Sequence, residues 1–256
     1  MKDNLENRYK AVIQEVLVDN VNRQDRTGVG CLSGFNHQLS WKLNKFPIMT
    51  GKAMYPKVFN TEFKWFINGE TNIKRFQDNG VKIWDEWADE NGDLGPVYGH
   101  QMRNFNDQGV DQMERLIWNL RNNRDSRRHI ISLWNPAQIH QMALPPCYLY
   151  FQFFVDKGER LNMFVVQRSA DLFLGVPYDI ALFSMLLLHV AKESNYLTGR
   201  IDLQLVDAHI YSNHISAVDE YLRQPTSEFP DYDFVDGQIK LKNYIKGKSI
   251  KAAVAV

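Results

Sequence analysis

The sequence predicts a globular protein of the α/β or α+β class. Stretches in which apolar residues recur every three or four positions are mixed with stretches in which apolar and polar residues alternate. The composition is that of an ordinary folded protein, with 44% hydrophobic and 23% charged residues. The 256 residues suffice for one large domain or two small ones, and no linker, repeat or low-complexity segment divides them.

Charge and cysteine content narrow the function classes. Thirty basic residues balance thirty acidic ones, so no net field attracts a nucleic acid or a membrane surface. Two cysteines make no disulfide framework, and no Cys/His spacing indicates a metal site. The charged N-terminus has no signal-peptide core, and no apolar run approaches the roughly 18–20 residues of a membrane span. We therefore expect a soluble, cytoplasmic protein without a metal, which acts on neither nucleic acids nor membranes.

Hydrophobic periodicity and turn residues place the elements of the first half. Leu5, Tyr9 and Val12 begin a pattern of three- and four-residue steps, which predicts an amphipathic helix. Pro56 is favoured in the first turn of a helix and begins another, on which Glu62 lies among aromatic residues. The expected order is a helix over 5–17, a glycine-rich mobile loop over 25–30, a strand over 31–43, a helix from 56 to about 69, and a turn-rich loop with two tryptophans over 84–99.

The second half is richer in strands. Apolar runs on either side of the turn 156–159 predict a β-hairpin. Pro177 begins the most apolar helix, which we expect in the core. The expected order is a helix over 113–120, a strand over 130–134, strands over 148–155 and 161–168, a helix from 177 to about 193, a strand around 203–206, a helix that ends before Pro225, and short strands before a basic tail.

Cys147 is the first candidate for chemistry. It directly follows Pro145 and Pro146, which end whatever element precedes them because proline lacks an N–H and fixes φ. Cys147 therefore stands at the mouth of a strand, where its side chain can face a cleft. A reactive thiolate needs a nearby cation, and Arg168 can supply it. The alternative is a small buried hydrophobic residue.

Further arginines are candidates for anion binding. Arg26 lies in the loop 25–30, and Arg127 and Arg128 stand between the helix over 113–120 and the strand that follows. Adjacent guanidinium groups suit a phosphate, because each presents several N–H donors in a planar fork. At both places the alternative is a solvated surface charge.

Five motifs, taken together and in this order, resemble those of the thymidylate synthase family. They are Ile83-Trp84-Asp85-Glu86-Trp87, Asp125-Ser126-Arg127-Arg128, Pro146-Cys147, Gln167-Arg168-Ser169-Ala170-Asp171-Leu172-Phe173-Leu174-Gly175 and His209-Ile210-Tyr211-Ser212-Asn213-His214. The resemblance implies a single thymidylate synthase-like catalytic domain over 1–256, with a large mixed sheet flanked by helices. It also implies a homodimer in which the sheets pack back to back. The implied activity is folate-dependent one-carbon transfer to C5 of a pyrimidine deoxynucleoside monophosphate, with 5,10-methylenetetrahydrofolate as co-substrate.

The resemblance also implies a role for each matching position. Cys147 is the implied nucleophile that adds to C6 of the pyrimidine, so that C5 can attack the one-carbon unit. Glu62 is implied to order waters for proton transfer at the base, and Tyr98 to assist near Cys147 and the C5 proton. The implied substrate-binding residues are Arg26, Arg168 and Ser169 at the phosphate, Arg127 and Arg128 at the phosphate of the partner subunit's site, Gln167 at the nucleotide, and His209 and Tyr211 at the sugar. The implied folate contacts are Lys52, Trp84, Asp171 and the C-terminal tail, which includes Ala255.

Asp179 departs from the family pattern, which has asparagine at this position to read uracil. Cytosine presents the reversed edge, with an N4 amino donor and an N3 acceptor, and an aspartate matches it in either protonation form. A neutral carboxyl donates to N3 and accepts from N4, whereas a carboxylate accepts from both if N3 is protonated. Aspartate here is the pattern of the deoxycytidylate hydroxymethylases, so Asp179 predicts dCMP as the substrate.

Two more departures from the family pattern, and two features that match it, bear on the product. Tyr148 stands where the family has histidine, and this change fits an altered base edge or altered delivery of water. Ala53 stands where the family usually has an arginine that binds the glutamate tail of the folate. Trp84 and the full tail favour a closed, water-poor site, and hence methylation. We expect a transferase that converts dCMP to 5-hydroxymethyl-dCMP, a modified DNA precursor of a phage.

Two alternatives stay open. The first is thymidylate synthase-type reductive methylation, of dUMP or of dCMP, with dihydrofolate as product. The second is a non-catalytic homologue that binds a nucleotide or RNA. A homologue of that kind is expected to have lost the nucleophile or the phosphate arginines, whereas Cys147 and Arg168 are both present.

Overall fold

The computed structural model describes residues 4–255, which form an α+β fold with a mixed sheet flanked by helices. The helices are α1 (Leu5–Val18), α2 (Pro56–Ile67), α3 (Lys74–Asp78), α4 (Tyr98–Arg103), α5 (Gln112–Asn122), α6 (Gly175–Ser194) and α7 (Ile215–Arg223). The strands are β1 (Val21–Arg23), β2 (Cys31–Lys42), β3 (Ile130–Ser132), β4 (Tyr148–Val155), β5 (Arg160–Asp171), β6 (Leu197–Tyr211), β7 (Asp231–Val235) and β8 (Gln238–Lys242). Short 3₁₀ turns lie at Ile139–Gln141 and Ser212–His214.

Six strands form one sheet in the order β1-β2-β6-β5-β4-β3, and β7 and β8 form a separate hairpin. β5 and β6 are parallel, whereas the other neighbouring strands are antiparallel. A parallel pair needs a long crossover connection, and α6 supplies it. The carboxyl ends of β5 and β6 therefore lie side by side, and Asp171 pairs with His209 there.

α6 is the central helix of the core. Side chains along it, such as Phe183 and Leu187, are fully buried. The helix is long and apolar enough to cross a membrane, but the buried core helix of a globular protein passes the same test. Asn195 ends it with a φ of 64°, in the left-handed region that asparagine tolerates. The sequence predicts its start at Pro177, and the helix begins slightly earlier, at Gly175.

The two faces of the sheet differ in burial. On one face of β4, β5 and β6 lie buried residues such as Phe151, Val165 and Leu203, and Phe151 packs against Phe183 of α6 with ring centroids 5.7 Å apart. On the other face the side chain of Phe154 is 67% exposed. This second face is open to solvent in a single chain.

Most expected elements are confirmed, and one strand is much longer than expected. The helices over 5–17 and 56–69, the strand over 31–43 and the hairpin 148–168 are present as α1, α2, β2 and the β4–β5 pair. The strand expected around 203–206 extends from Leu197 to Tyr211, because it lies between β2 and β5 and pairs with both. Pairing on both sides stabilises polar positions that show no strand signal in the sequence. The sequence patterns do not predict α3, α4 and β1, and Tyr98, expected in a loop, begins α4.

The tail after β8 returns to the middle of the molecule. Lys248 forms a parallel bridge with Lys52, and the Ala53 N–H donates to the Lys248 carbonyl at 2.8 Å. Further along, the Ala253 carbonyl accepts a hydrogen bond from Nε2 of His214 at 2.7 Å. The tail is thereby held beside Lys52 and beside the turn that follows β6.

Candidate active site

Cys147 lies between Pro146 and the first residue of β4. Its N–H donates to the Tyr98 hydroxyl at 3.0 Å, and its carbonyl accepts from the Arg168 N–H at 2.8 Å. Because Tyr98 begins α4 and Arg168 belongs to β5, two distant elements fix the backbone of the cysteine. Its side chain is half-buried and carries a free thiol.

The Arg168 side chain folds back on the cysteine loop. Its Nε donates to the Pro146 carbonyl at 2.9 Å, and its Nη2 donates to the Pro145 carbonyl at 3.0 Å. Its guanidinium carbon lies 5.1 Å from the centre of the Trp134 ring, within cation–π range. Sequence reasoning missed Trp134 as a support for this arginine, because nothing in the pattern around Trp134 signals a contact with β5.

Burial keeps the Cys147 thiol protonated. Burial raises the pKa of the thiol, and Asp179 and Asp171 act in the same direction. A hydrogen bond with Tyr98 and the charge of Arg168 lower the pKa, but they do not compensate for burial. The expectation that Arg168 populates the thiolate is therefore corrected. Two backbone carbonyls share the arginine's charge, and burial prevails.

Asp179 lies in the second turn of α6 and reaches the sheet. Its Oδ2 accepts a hydrogen bond from Nε2 of Gln167 on β5 at 2.7 Å, and Gln167 is buried. Burial raises the pKa of Asp179 to about 7, with the Gln167 hydrogen bond opposing the rise and Asp171 adding to it. The carboxyl is therefore partly protonated at neutral pH, and it can donate a hydrogen bond as well as accept one.

Glu62, on α2, is a second carboxyl that retains its proton. Burial raises its pKa to about 8, and Asp179 contributes in the same direction while Trp84 opposes the rise. Trp84 packs edge-on against Tyr98, with ring centroids 5.9 Å apart. The loop 84–99 thus brings a tryptophan to Glu62 and, through Tyr98, to the cysteine.

Asp171 and Lys52 meet at the end of β5. Oδ1 of Asp171 accepts hydrogen bonds from the N–H groups of Phe173 and Leu174 at 2.9 and 3.3 Å. Lys52 donates to the Phe173 carbonyl and lies 3.9 Å from the centre of the Phe173 ring. Burial lowers the pKa of Lys52 to about 8, against the opposing influence of Asp171. A carboxylate and a lysine thus flank this end of the site, where Ala255 of the tail is also buried.

His209 and Tyr211 lie near the end of β6, with ring centroids 5.1 Å apart. Burial lowers the pKa of His209, but Asp207 and Asp171 outweigh it, so the pKa is raised. Burial raises the pKa of Tyr211 to about 12, so its hydroxyl remains a hydrogen-bond donor at neutral pH. Ser169, on β5, pairs with Asp207 in the same ladder. These polar groups line up along the β5–β6 pair.

The other predicted arginines do not join the cysteine cluster. Arg26 is exposed in the loop 25–30, close enough to Tyr211 to lower its pKa slightly. Arg127 and Arg128 are exposed just before β3, and in the described part of a single chain neither makes a side-chain hydrogen bond or ion pair with that cluster. Arg127 lines a cavity of about 620 Å³ on the open face of the sheet, together with Phe154.

These contacts define an enzyme-type site. A thiol at the mouth of a strand, two carboxyls that keep their protons near neutral pH, and flanking cations come together between a sheet and two helices. A family model described as thymidylate synthase matches residues 7–256, which is nearly the whole chain. The chain therefore belongs to the thymidylate synthase family.

Family membership states the reaction class. The protein is a one-carbon transferase that performs folate-dependent transfer to a pyrimidine nucleotide, with methylenetetrahydrofolate as co-substrate. Members of the family are typically homodimers. Within residues 4–255, no group of three or more His, Cys, Asp and Glu side chains is arranged to hold a metal ion.

Proposed function

We propose that the protein transfers a hydroxymethyl group from 5,10-methylenetetrahydrofolate to C5 of dCMP, through addition of Cys147 to C6. The observation that carries the proposal is Asp179, a partly buried carboxyl with a pKa of about 7 that the Gln167 amide holds in place. This chain closely resembles the thymidylate synthases, which have asparagine at this position, whereas the deoxycytidylate hydroxymethylases have aspartate.

A partly protonated carboxyl suits the edge of cytosine. The base offers an N4 amino donor and an N3 acceptor, and one proton between Asp179 and N3 completes two hydrogen bonds, whichever group carries it. A proton on N3 also makes C6 more electrophilic toward the sulfur of Cys147. A buried hydrogen-bonding group of the base or of Asp179 that is left unpaired costs about 1–3 kcal/mol. We expect the preference for dCMP over dUMP to be of this size.

Tyr98 and Glu62 are placed to move protons at the base. The Cys147 thiol must lose its proton before the sulfur adds to C6, and the Tyr98 hydroxyl is hydrogen-bonded to this residue. Glu62, with a pKa of about 8, holds a proton at neutral pH that it can deliver to the base through ordered water.

The remaining residues fit the rest of the two substrates. Arg168, which is already oriented by two carbonyls, would bind the phosphate with Arg26 and Ser169, and His209 and Tyr211 would bind the sugar hydroxyl. The folate would fit against a partly exposed carboxylate, a buried lysine and an aromatic wall. The residues proposed for it are Lys52, Trp84, Asp171 and Ala255.

We further propose that two chains complete each other's sites. The open face of the sheet carries the exposed Phe154 and is the surface that would pack against the same face of a second copy. Arg127 lies at the cavity on this face, so it and Arg128 would reach the phosphate in the partner's site. We place the reaction in the cytoplasm, of the host cell if a phage encodes the protein.

Reductive methylation is the second candidate, and two observations favour it. Trp84 is only 8% exposed, and the tail is held down through the hydrogen bond between His214 and Ala253. Both features exclude water, which favours hydride transfer from tetrahydrofolate over attack by water. The product would be a methylated nucleotide, from dUMP or dCMP, together with dihydrofolate.

One assay separates the two candidates. The enzyme is incubated with dCMP or dUMP and methylenetetrahydrofolate, the nucleotide is analysed by mass spectrometry, and dihydrofolate is followed by absorbance. We expect dCMP to gain one CH₂O unit without formation of dihydrofolate. A gain of one CH₂ unit with stoichiometric dihydrofolate would instead establish the methylating activity.

Base choice is tested at Asp179. We expect Asp179→Asn to raise the ratio of kcat/KM for dUMP to that for dCMP by about 5- to 150-fold, which corresponds to 1–3 kcal/mol of unpaired hydrogen bonding. Steady-state kinetics with both nucleotides measures the ratio. An unchanged ratio would show that Asp179 does not read the base.

A further inference from the structure

Tyr148 is the first residue of β4 and directly follows Cys147. It is 5% exposed, and its ring centroid lies 4.8 Å from that of Tyr98 and 5.1 Å from that of Phe183. Phe183 lies one helical turn after Asp179 on the same face of α6. Tyr148 is thus wedged between the tyrosine that holds the cysteine and the helix that carries the base-reading carboxyl.

Two polar groups in this layer lack partners. Tyr148 pairs with Gln167 across the β4–β5 ladder, so the two side chains share a face. Gln167 donates to Asp179, but its Oε1 is buried without a hydrogen bond. Among residues 4–255, no side-chain hydrogen bond of the Tyr148 hydroxyl is present, and this oxygen is not sealed from solvent as Gln167 Oε1 is. A buried acceptor such as Gln167 Oε1 is ordinarily satisfied by ordered water or by a ligand.

The surroundings keep the Tyr148 hydroxyl protonated. Burial raises its pKa well above the usual value, and Tyr98, Asp179, Glu62 and Cys147 act in the same direction. The hydroxyl is therefore both a donor and an acceptor at neutral pH. A water molecule needs at least two polar partners in a buried site, and the Tyr148 hydroxyl with Gln167 Oε1 provides them.

The proposed binding mode of the substrate would bring C5 near Tyr148. The sulfur of Cys147 takes C6, and Asp179 takes N3 and the amino group on C4. C5 lies between C4 and C6 in the ring, so a group that lies between Cys147 and Asp179 lies beside C5. Tyr148 directly follows Cys147 and packs against Tyr98, which binds the Cys147 N–H, and against Phe183, one turn after Asp179. We therefore expect Tyr148 on the C5 side of the bound base.

We propose that the Tyr148 hydroxyl and Gln167 Oε1 hold the water that attacks the one-carbon unit at C5, and so determine a hydroxymethyl product. This inference rests on the proposed function. The water oxygen forms a bond to the methylene carbon, and the π electrons of the methylene move onto C5. They re-form the C5–C6 double bond as the C6–S bond breaks and Cys147 leaves as a thiolate. The methylene forms beforehand, when C5 gives up its proton and the bond to tetrahydrofolate breaks, and tetrahydrofolate leaves unoxidised with a proton on its nitrogen. Glu62 has by then delivered its own proton to the base, and its carboxylate accepts the proton of the attacking water.

Tyr148→Phe removes a single oxygen and keeps the ring. With dCMP tritiated at C5, tritium release reports substitution at C5, and hydroxymethyl-dCMP reports attack by water. We expect hydroxymethyl product per tritium released to fall at least about tenfold, with an unchanged Kd for dCMP. Tyr150→Phe is the matched control. A bulge between residues 148 and 150 sets Tyr150 apart, its ring lies 6.4 Å from Phe164, and it should keep the wild-type ratio.

Tyr148→His is the second variant, because it restores a hydrogen-bonding ring, and we expect it to recover part of the ratio lost in Tyr148→Phe. If the wild-type enzyme makes hydroxymethyl-dCMP but the Tyr148→Phe variant forms as much of it per tritium released, this inference is wrong and the proposed function stands. A wild-type enzyme that yields methylated nucleotide and dihydrofolate would overturn the proposed function and this inference together, and it would do so before any variant is made.

Discussion

Asp179 and Glu62 hold their protons at pH values where exposed carboxyls are ionised. Burial is the first cause at both residues, with pKa values of about 7 and about 8. Gln167 orients one of the two groups and leaves it partly protonated at neutral pH. A carboxyl in that condition can share a proton with a ring nitrogen, which an amide cannot do.

The proton on Asp179 makes dCMP binding depend on pH. Below pH 7 the free carboxyl already carries the proton that the complex needs, whereas above pH 7 the proton must be taken up. We expect the Kd for dCMP to rise by about 50-fold between pH 7 and pH 9, where the nucleotide phosphate (pKa near 6) is at least about 90% ionised. Calorimetric titration measures the Kd at each pH.

Asp179→Asn is the control for this dependence. The variant has no titrating group at residue 179 but retains Glu62, so the difference between the two profiles isolates Asp179. Between pH 7 and 9, we expect the slope of log Kd against pH to be smaller in Asp179→Asn than in the wild-type protein by about one. Parallel profiles would show that another group supplies the proton.

Tyr98 lowers the pKa of the Cys147 thiol. Its hydrogen bond opposes the burial of Cys147, so Tyr98→Phe should raise the thiol pKa further. The loss of one hydrogen bond of about 1 kcal/mol leaves about five-fold less thiolate at a given pH. The pH dependence of iodoacetamide alkylation, in a Cys31→Ser background, measures the pKa. Tyr196→Phe, which loses a hydrogen bond to the Leu120 carbonyl instead, should leave it unchanged.

At the scale of elements, Glu6 joins α1 to the loop that leads to Lys52. The buried Glu6 carboxylate accepts hydrogen bonds from the Thr50 N–H at 2.8 Å, the Thr50 hydroxyl at 2.6 Å and the Gly51 N–H at 2.8 Å. It also accepts from the Tyr221 hydroxyl of α7 at 3.0 Å. One carboxylate therefore fixes two helices and the residues just before Lys52.

Glu6→Gln should destabilise the protein strongly. The amide keeps one acceptor oxygen but turns an N–H toward buried donors, so at least one donor loses its partner. We expect the free energy of unfolding to fall by about 2–3 kcal/mol. Urea unfolding measures the change. Glu15→Gln on the same helix is the control, because the Glu15 side chain is 63% exposed, and it should change stability by less than about 0.5 kcal/mol.

At the scale of the whole molecule, a single chain leaves the proposed site incomplete. Arg127 and Arg128 are exposed and lie apart from the cysteine, and the sheet face beside them carries the exposed ring of Phe154. A sheet face that carries an exposed aromatic ring among polar side chains, and that nothing covers in one chain, suits association with a second copy. The proposed dimer would bury this face and bring both arginines to the partner's phosphate.

Mixed subunits test the shared site. In a hybrid of Cys147→Ala and Arg127→Ala chains, one site has its own cysteine and borrows an intact arginine. An equimolar, fully exchanged mixture should recover about a quarter of wild-type activity, since half of the dimers are hybrids with one working site. Cys147→Ala mixed with Glu62→Gln should recover none, because both residues belong to the same chain's site. Equal recovery in the two mixtures, with hybrids shown to form, would contradict the borrowed arginines.

The order of the elements and the place of Cys147 at the mouth of a strand were predictable from local signals, whereas its role as nucleophile stays a prediction. Periodicity predicts α1, β2 and α2, and Pro-Pro before an apolar run predicts a cysteine at the mouth of a strand. The full length of β6 was not predictable, because two neighbouring strands stabilise it. Trp134 as a support of Arg168 was not predictable either, since the contact joins residues far apart in the chain. The single-domain assignment over 1–256 stays a prediction.

By itself the sequence determined the family and the residue types of the site, because spaced motifs and hydrophobic periods are properties of the chain. Only the tertiary structure decided the protonation of those residues. Arg168 lies near Cys147, as its motif suggests, yet the thiol pKa is raised because burial outweighs the guanidinium. Asp179 and Glu62 have ordinary side chains whose pKa values rise because α2 and α6 pack them against the sheet. Desolvation depends on every neighbour in space, and the order of residues along the chain does not contain it.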